Sequence, residues 1–197
     1  LAAVPDFAGD EATVVAATDS DAAWVELLQL QDAVREAGAE RVTTVIPYMG
    51  YARQDQSFGE GEPVSARAMA RAIATGTDRV VLVNPHEAGV ADCFDAPVET
   101  VDAAGVLAEP LPADLVDPLF LAPDEGAVGI AETVRDAYGA GETDYFEKHR
   151  DRDTGAVAVS PSDAAVADRD VIVVDDIVAT GSTMSESVAV VNDRDAA

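Results

Sequence analysis

The chain has 197 residues, and its 38 acidic side chains against 12 basic ones give a net charge of −26 at pH 7. A hydrophobic content of 48% is typical of a globular protein and excludes a disordered acidic tail. The negative charge disfavours nucleic acid and anionic lipid as partners, and the short apolar runs predict no membrane span. We expect a cytoplasmic protein, because we find no signal peptide and the one cysteine, Cys93, has no second thiol to pair with.

Short apolar strands alternate with amphipathic helices along the whole sequence. This alternation predicts an α/β fold with parallel sheets covered by helices on both faces. The predicted strands cover residues 13–17, 42–46, 80–83, 119–121 and 171–174. The predicted helices cover residues 21–37, 65–75, 127–138 and 182–191.

Two domains are predicted, with a boundary after Pro97. The polar stretch at residues 92–96 ends the first block of strands and helices. The segment at 109–117 is rich in Pro, Leu and Asp and is typical of a surface connection. The predicted domains are therefore residues 1–97 and 98–197.

The most specific chemistry in the sequence lies at residues 171–183. An apolar strand ends in two carboxylates, Asp175 and Asp176, and a loop of small residues then leads into a helix. Backbone N–H groups and hydroxyls at a helix N-terminus suit a phosphate, whereas carboxylates accept hydrogen bonds from ribose hydroxyls. Since open α/β sheets bind ligands at the carboxyl ends of their strands, the segment predicts a ribose-phosphate site. The structural alternative is a plain strand-end turn with a helix cap.

The same segment resembles the phosphoribosyl diphosphate (PRPP) motif of type I phosphoribosyltransferases and PRPP synthetases. Residues 46–55 and 61–66 are similar to a block that PRPP synthetases (ribose-phosphate diphosphokinases) contain and phosphoribosyltransferases lack. Residues 84–86, 122–126 and 147–150 match further synthetase stretches in the expected order. The chain is therefore identified as a member of the PRPP synthetase family, and its acidic composition indicates the archaeal, halophilic type.

The resemblance implies a role for each candidate site residue. Lys148, the one lysine of the chain, would be catalytic, in a mobile loop that closes over the triphosphate. ATP would be bound by Arg53 and Gln54, and Mg²⁺ by His86 and Asp124. Ribose 5-phosphate would be bound by Arg150, Asp175, Asp176, Ala179, Thr180, Gly181, Ser182 and Thr183.

The resemblance also implies the architecture. Each domain would be type I phosphoribosyltransferase-like, with an ATP-binding domain at residues 1–97 and a ribose-5-phosphate-binding domain at residues 98–197. Compared with the family's length, the first domain would be incomplete at its start and the second at its end. Asn84 departs from the family pattern because many members carry Asp there. Ala179 stands in place of an acidic or hydroxyl residue, so it would contribute through its backbone.

The implied reaction is the Mg²⁺-dependent transfer of diphosphate from ATP to the anomeric hydroxyl of ribose 5-phosphate, which gives PRPP and AMP. The implied assembly is a homo-oligomer based on dimers, with a hexamer as one arrangement. Two alternatives stay open. One is a phosphoribosyltransferase that consumes PRPP, and the other is a non-catalytic family member that serves as a regulatory or assembly subunit.

Overall fold

A computed structural model describes residues 3–150, 157–161, 166–178, 180–194 and 196, with the backbone alone for 147–150 and 157–161. The chain forms two compact units, Leu1–Ala103 and Ala104–Ala197, and each is described by itself. Within the described ranges, no helix is long and apolar enough to cross a membrane.

Unit 1 is a four-stranded parallel sheet in which the strands follow one another in chain order. Two helices connect the first three strands, and a short 3₁₀ helix, Ala88–Cys93, precedes the fourth. The strands are β1 (Glu11–Val15), β2 (Arg41–Ile46), β3 (Arg79–Val83) and β4 (Val98–Val101). The helices are α1 (Asp21–Glu36) and α2 (Ser65–Ala74).

A polar contact chain ties α1, β2 and α2 together inside the apolar core of unit 1. Gln31 of α1 is 1% exposed, and its Nε2 donates to Thr44 Oγ1 of β2 at 2.8 Å and to Ile73 O of α2 at 3.2 Å. Thr44 also bonds the hydroxyl of Thr77 at 2.9 Å. A Cβ on Gly76 would lie 2.8 Å from the Gln31 Cβ, so the helix end at Gly76 has room only for glycine.

The two predicted helix starts of unit 1 differ in their capping. Ser20 is the N-cap of α1, and its side chain accepts a hydrogen bond from Ala23 N at 3.3 Å. α2 begins without a side-chain cap, because Val64 holds the cap position and makes no side-chain bond. The Ser65 hydroxyl instead contacts Gln54 Oε1, in the turn after β2.

Unit 2 is a four-stranded sheet with the order β7-β6-β5-β8. Neighbouring strands are parallel except for β6 and β7, which are antiparallel. The strands are β5 (Leu119–Ala122), β6 (Glu142–Arg150), β7 (Val157–Pro161) and β8 (Val171–Val173). The helices are α3 (Val128–Tyr138) and α4 (Ser182–Asn192), with 3₁₀ helices at Ala104–Ala108 and Glu125–Ala127.

The direction of the chain across the sheet reverses at β5. The chain passes from β5 through α3 to β6 on one side, whereas β8 lies on the other side of β5. All four residues of β5 are buried, which explains why an uninterrupted apolar run forms the centre of the sheet. A crevice opens at the carboxyl ends of strands where the order reverses, so β5 and β8 define the expected ligand position in unit 2.

Arg169 holds the opposite, amino edge of this sheet. Its side chain donates to Glu142 Oε2 at the start of β6 at 2.9 Å and to Asp117 O just before β5 at 2.9 Å. Arg169 is only 8% exposed, and it directly precedes the residue that leads into β8. One guanidinium therefore joins the starts of three strands.

The predicted α/β class, with parallel sheets flanked by helices in two domains, is confirmed. The units divide between Ala103 and Ala104, a few residues after the predicted boundary at Pro97. The reason is that Val98–Val101 pairs with β3 as the edge strand of unit 1. Strands β4, β6 and β7 were not predicted.

Candidate functional site

The two residues predicted to bind ATP lie in a turn that directly follows β2. Arg53 is exposed, and no hydrogen bond or ion pair joins its side chain to another described residue. Gln54 is half-buried and is tied to the start of α2, because its backbone carbonyl accepts from Ala66 N at 3.1 Å and its Oε1 contacts the Ser65 hydroxyl. The turn thus presents a planar cation beside an amide that is fixed in place.

His86, predicted to bind metal, follows β3 at the same carboxyl edge of unit 1 and is exposed. Asn84, just before it, has a positive φ of 40°, a conformation that asparagine tolerates better than most residues. Its Nδ2 donates to Asp102 Oδ1 at 2.7 Å, and its Oδ1 accepts from Ala103 N at 2.8 Å. Where many family members carry Asp, this chain therefore uses an amide that links the exits of β3 and β4, a role that sequence reasoning missed.

In unit 2, three carboxylates gather where the strand order reverses. Asp124 follows β5, and its Oδ1 accepts from Gly126 N at 3.1 Å at the start of a 3₁₀ helix. Asp175 and Asp176 follow β8, which is the neighbour of β5. Burial, the nearby Asp176 and the charge of Asp124 raise the pKa of Asp175. Groups that donate hydrogen bonds, or a cation, would be stabilised at this position.

Hydroxyl side chains and a glycine N-cap lie at the N-terminus of α4, after Asp175 and Asp176 in the chain. Gly181 adopts φ 77° at the N-cap, and the first intrahelical bond runs from Ser185 N to Gly181 O at 2.8 Å. The hydroxyls of Thr180 and Ser182 lie 2.9 Å apart, and Thr183 begins the same helical turn. A helix N-terminus with hydroxyl groups beside it therefore follows the two carboxylates along the chain, and such a terminus suits an anion.

The predicted catalytic lysine and the arginine predicted to bind ribose 5-phosphate lie at the end of β6. The backbone of Lys148 pairs with Val159 and that of Arg150 with Val157, so both stand in an antiparallel strand pair rather than in the predicted loop. Their side chains and the whole of Ala179 lie outside the described residues.

Magnesium prefers oxygen ligands and usually takes only one or two carboxylates besides substrate oxygens, so the carboxylates of unit 2 suit it, whereas the imidazole nitrogen of His86 does not. Asp124 supplies such an oxygen in unit 2, beside the other two carboxylates, and His86 belongs to unit 1. Among the residues that the structure describes, no group of three His, Cys, Asp or Glu side chains is arranged to hold a metal ion.

An open groove of about 600 Å³ in unit 2 lies away from these residues. It is bounded by the 3₁₀ helix Ala104–Ala108, the connection after it and the last turn of α3, and Tyr138 lines it. Because α3 runs back from the carboxyl edge of the sheet, its last turn marks the amino edge. The groove is therefore separate from the predicted ribose-phosphate site.

Two family models match the chain. The model for the N-terminal domain of ribose phosphate pyrophosphokinase matches residues 6–76, and the model for the phosphoribosyl transferase domain matches residues 106–197. A ribose-phosphate pyrophosphokinase of Halobacterium salinarum is 59% identical over 189 residues, which are 96% of this chain and 67% of the relative. The chain belongs to the ribose-phosphate pyrophosphokinase family. The resemblance to PRPP synthetases, including the halophilic type, is confirmed.

More distant members of the ribose-phosphate pyrophosphokinase family agree with this assignment. One from Methanosarcina mazei is 41% identical over 97% of this chain and 63% of its own length. The crystal structure of phosphoribosylpyrophosphate synthetase from Mycobacterium smegmatis superposes with a TM-score of 0.76 at 29% identity, covering 94% of this chain and 61% of that chain. The chain thus spans about two thirds of the length of the relatives that it matches.

Proposed function

We propose that the protein transfers diphosphate from Mg²⁺-bound ATP to the anomeric hydroxyl of ribose 5-phosphate, giving PRPP and AMP. The observation that carries this proposal is the crevice of unit 2. There, adjacent carboxylates and a helix N-terminus follow the two strands between which the sheet order reverses. A sugar phosphate needs both features at once, because its hydroxyls donate hydrogen bonds while its phosphate accepts them.

Ribose 5-phosphate is assigned to unit 2. Asp175 and Asp176 accept hydrogen bonds from two ribose hydroxyls, and binding these donors offsets the unfavourable burial of the Asp175 carboxylate. The 5-phosphate lies on the backbone N–H groups and hydroxyls between Thr180 and Thr183. Ala179 adds a backbone contact, and Arg150 contributes positive charge.

ATP is assigned to the turn after β2 in unit 1. The exposed guanidinium of Arg53 offers five N–H donors to phosphate oxygens or to the base. Gln54 supplies an amide whose position is set by its bonds to the first residues of α2. These two residues hold the nucleotide while the sugar hydroxyl attacks.

Lys148 is assigned to charge stabilisation as the β-phosphorus is transferred, because an ammonium group near the triphosphate oxygens lowers the energy of the charge that develops there. Mg²⁺, when bound, would neutralise the triphosphate and polarise the reacting phosphorus. Asp124 is assigned as a protein ligand for Mg²⁺ in unit 2, and His86 as one in unit 1. The acidic side chains of unit 2 favour a cation at this position.

The assembly is assigned as a cytoplasmic homo-oligomer based on dimers. Two alternatives remain testable beside the enzyme: a phosphoribosyltransferase that consumes PRPP, and a regulatory or assembly subunit without turnover. The family assignment argues against the first, because the N-terminal domain model matches residues 6–76.

The direct test is AMP release from ATP and ribose 5-phosphate by the intact gene product with Mg²⁺ in high salt. PRPP formation in step with AMP supports the proposal. Release of pyrophosphate from PRPP and a base would favour the phosphoribosyltransferase instead. Stable complexes without turnover at every salt concentration would favour the non-catalytic subunit.

A further inference from the structure

The turn that carries Arg53 and Gln54 is fixed at its start by the segment before α1. Thr18 is fully buried, and its Oγ1 accepts from Gly50 N at 3.0 Å and donates to Tyr48 O at 3.2 Å. Its backbone N donates to the same carbonyl at 2.9 Å. One threonine therefore satisfies polar backbone groups of the turn that would otherwise be buried without partners.

The approach between the two segments is so close that only glycine fits at position 50. A Cβ there would lie 2.2 Å from the backbone oxygen of Thr18 and 3.2 Å from Trp24 Nε1. The obstacle is backbone rather than a movable side chain, so a larger residue would push the turn away from α1.

The next residue, Tyr51, is held in an unusual conformation by α1. Its φ of 64° lies in the left-handed region, which non-glycine residues rarely adopt. Its hydroxyl donates to Asp21 Oδ1 in the first turn of α1 at 2.6 Å, and its ring lies 6.4 Å from that of Trp24. The hydrogen bond and the ring contact supply the stabilisation that this conformation requires.

The conformation of Tyr51 sets the positions of the predicted ATP-binding residues. Its backbone carbonyl accepts a hydrogen bond from Gln54 N at 3.1 Å, which closes a tight turn with Arg53 inside it. Rotating Tyr51 out of the left-handed region would therefore redirect Arg53 and move Gln54 relative to α2.

We propose that Asp21 is a positioning residue for the nucleotide site: by accepting the Tyr51 hydroxyl hydrogen bond, it holds the turn in the shape that directs Arg53 and Gln54 toward ATP. The inference rests on the proposed function, because ATP is the ligand assigned to the turn. Asp21 acts through Tyr51 and needs no contact with the nucleotide.

The test compares three substitutions with a matched control in the intact gene product. Tyr51→Phe and Asp21→Ala each remove the hydrogen bond, so we expect the KM for ATP to rise about three- to tenfold. The kcat and the KM for ribose 5-phosphate should change less than about twofold, because unit 2 is untouched. Asp21→Asn keeps an acceptor oxygen and should restore the KM for ATP. Asp19→Ala removes an exposed carboxylate two residues away and should have no effect.

An unchanged KM for ATP in Tyr51→Phe would overturn the inference. Equal rises in the KM of both substrates would overturn it as well, since they indicate a general loss of structure. Asp21→Asn as impaired as Asp21→Ala would show that charge, not the hydrogen bond, matters.

Amide hydrogen exchange without substrate separates this inference from the proposed function. In Tyr51→Phe, exchange should become faster at residues 50–54 and stay unchanged in unit 2. If the gene product makes no PRPP, the proposed function fails, yet the exchange and calorimetric ATP binding still decide the inference. Unchanged exchange at residues 50–54 would overturn it even in an active enzyme.

Discussion

Units 1 and 2 use the same parallel α/β architecture but form their candidate sites in different ways. In unit 1 the strands follow in chain order, and the site is a turn held by side-chain bonds to α1 and α2. In unit 2 the order reverses at β5, and the site follows from where two adjacent strands end. The sheet topology of unit 2 is enough to define its ligand position, whereas the candidate site of unit 1 depends on contacts between particular side chains.

The two units also differ at the amino edges of their sheets, opposite the candidate sites. In unit 1 the exposed pair of Arg35 and Asp78 holds the amino end of β2, with Asp78 Oδ2 also accepting from Val42 N at 2.7 Å. In unit 2 the corresponding edge is held by the buried Arg169. Exposed pairs contribute little in the high salt that a halophilic protein meets, so the edge of unit 2 should resist salt better.

The largest effect on turnover is expected from Lys148→Ala. This variant tests whether substrate binding in either unit depends on the proposed catalytic lysine. Turnover should fall at least about a hundredfold, because a positive charge near the transferring phosphoryl group is lost. Calorimetric affinity for ribose 5-phosphate should largely survive. Lys148→Arg, which keeps the charge, should recover part of the rate. Unchanged turnover in Lys148→Ala would remove the residue from the mechanism.

The paired substitution Asp175→Asn and Asp176→Asn should disable unit 2 selectively. Two charge-assisted hydrogen bonds to ribose are weakened, so we expect the Kd for ribose 5-phosphate to rise about a hundredfold. The Kd for ATP should stay within about twofold. Glu186→Gln, on the exposed face of α4, is the matched charge control. Equal loss of both ligands would break the distinction between the units.

Arg53→Ala should disable unit 1 selectively and by a smaller factor. Loss of one exposed guanidinium contact with ATP should raise its KM about tenfold, with the KM for ribose 5-phosphate unchanged. Arg67→Ala removes an exposed arginine from α2 and serves as the control. A matching rise in both variants would show that Arg53 contributes only through overall charge.

The smallest effect is a difference in pH dependence between the units. The hydrogen bond from Val42 N and the one from Arg35 lower the pKa of Asp78 below 3.8, so its stabilisation exists above that pH and is lost as pH falls through the lowered pKa. Burial and Asp176 raise the pKa of Asp175 above 3.8, so its ionisation opposes folding as pH rises through the raised pKa.

Chemical unfolding at pH 3.5 and pH 7 in constant salt checks these opposite signs. Relative to the wild type, Asp78→Asn should lose free energy of unfolding on going to pH 7. Asp175→Asn should gain it over the same interval. Changes of the same sign in both variants, in the free energy of unfolding between pH 3.5 and pH 7, would contradict these pKa directions. Asp19→Asn provides the baseline.

The strands that the sequence predicted are those that stand out as short apolar runs. The apolar runs that became β2, β3, β5 and β8 were found because most of their residues are buried or half-buried in the sheets. Strand β4 was missed because its residues Val98–Val101 are largely exposed at the sheet edge. Strand β6 was missed because Glu142–Arg150 is mostly charged and polar, although Phe146 is buried and Tyr145 packs against the core.

The ribose-phosphate residues between Asp175 and Thr183 could be proposed from sequence because one contiguous segment contains them. The contacts that hold the candidate site of unit 1 could not be predicted from the sequence. Thr18 lies just before α1 and Asp21 at its first residue, and their bonds to Gly50 and Tyr51 cross about thirty residues of sequence. Such contacts depend on the register of β1 against β2, which a local pattern does not specify.

The contact between Gln31 and Gly76 limits how this protein can diverge. A Cβ added at position 76 would lie 2.8 Å from the Cβ of Gln31, and every residue except glycine keeps a Cβ, so shortening position 31 does not make room for it. Shortening Gln31 in turn leaves Thr44 without one of its hydrogen bonds. Position 76 should therefore stay glycine whatever residue stands at position 31, and a library randomised at both positions should return glycine at position 76.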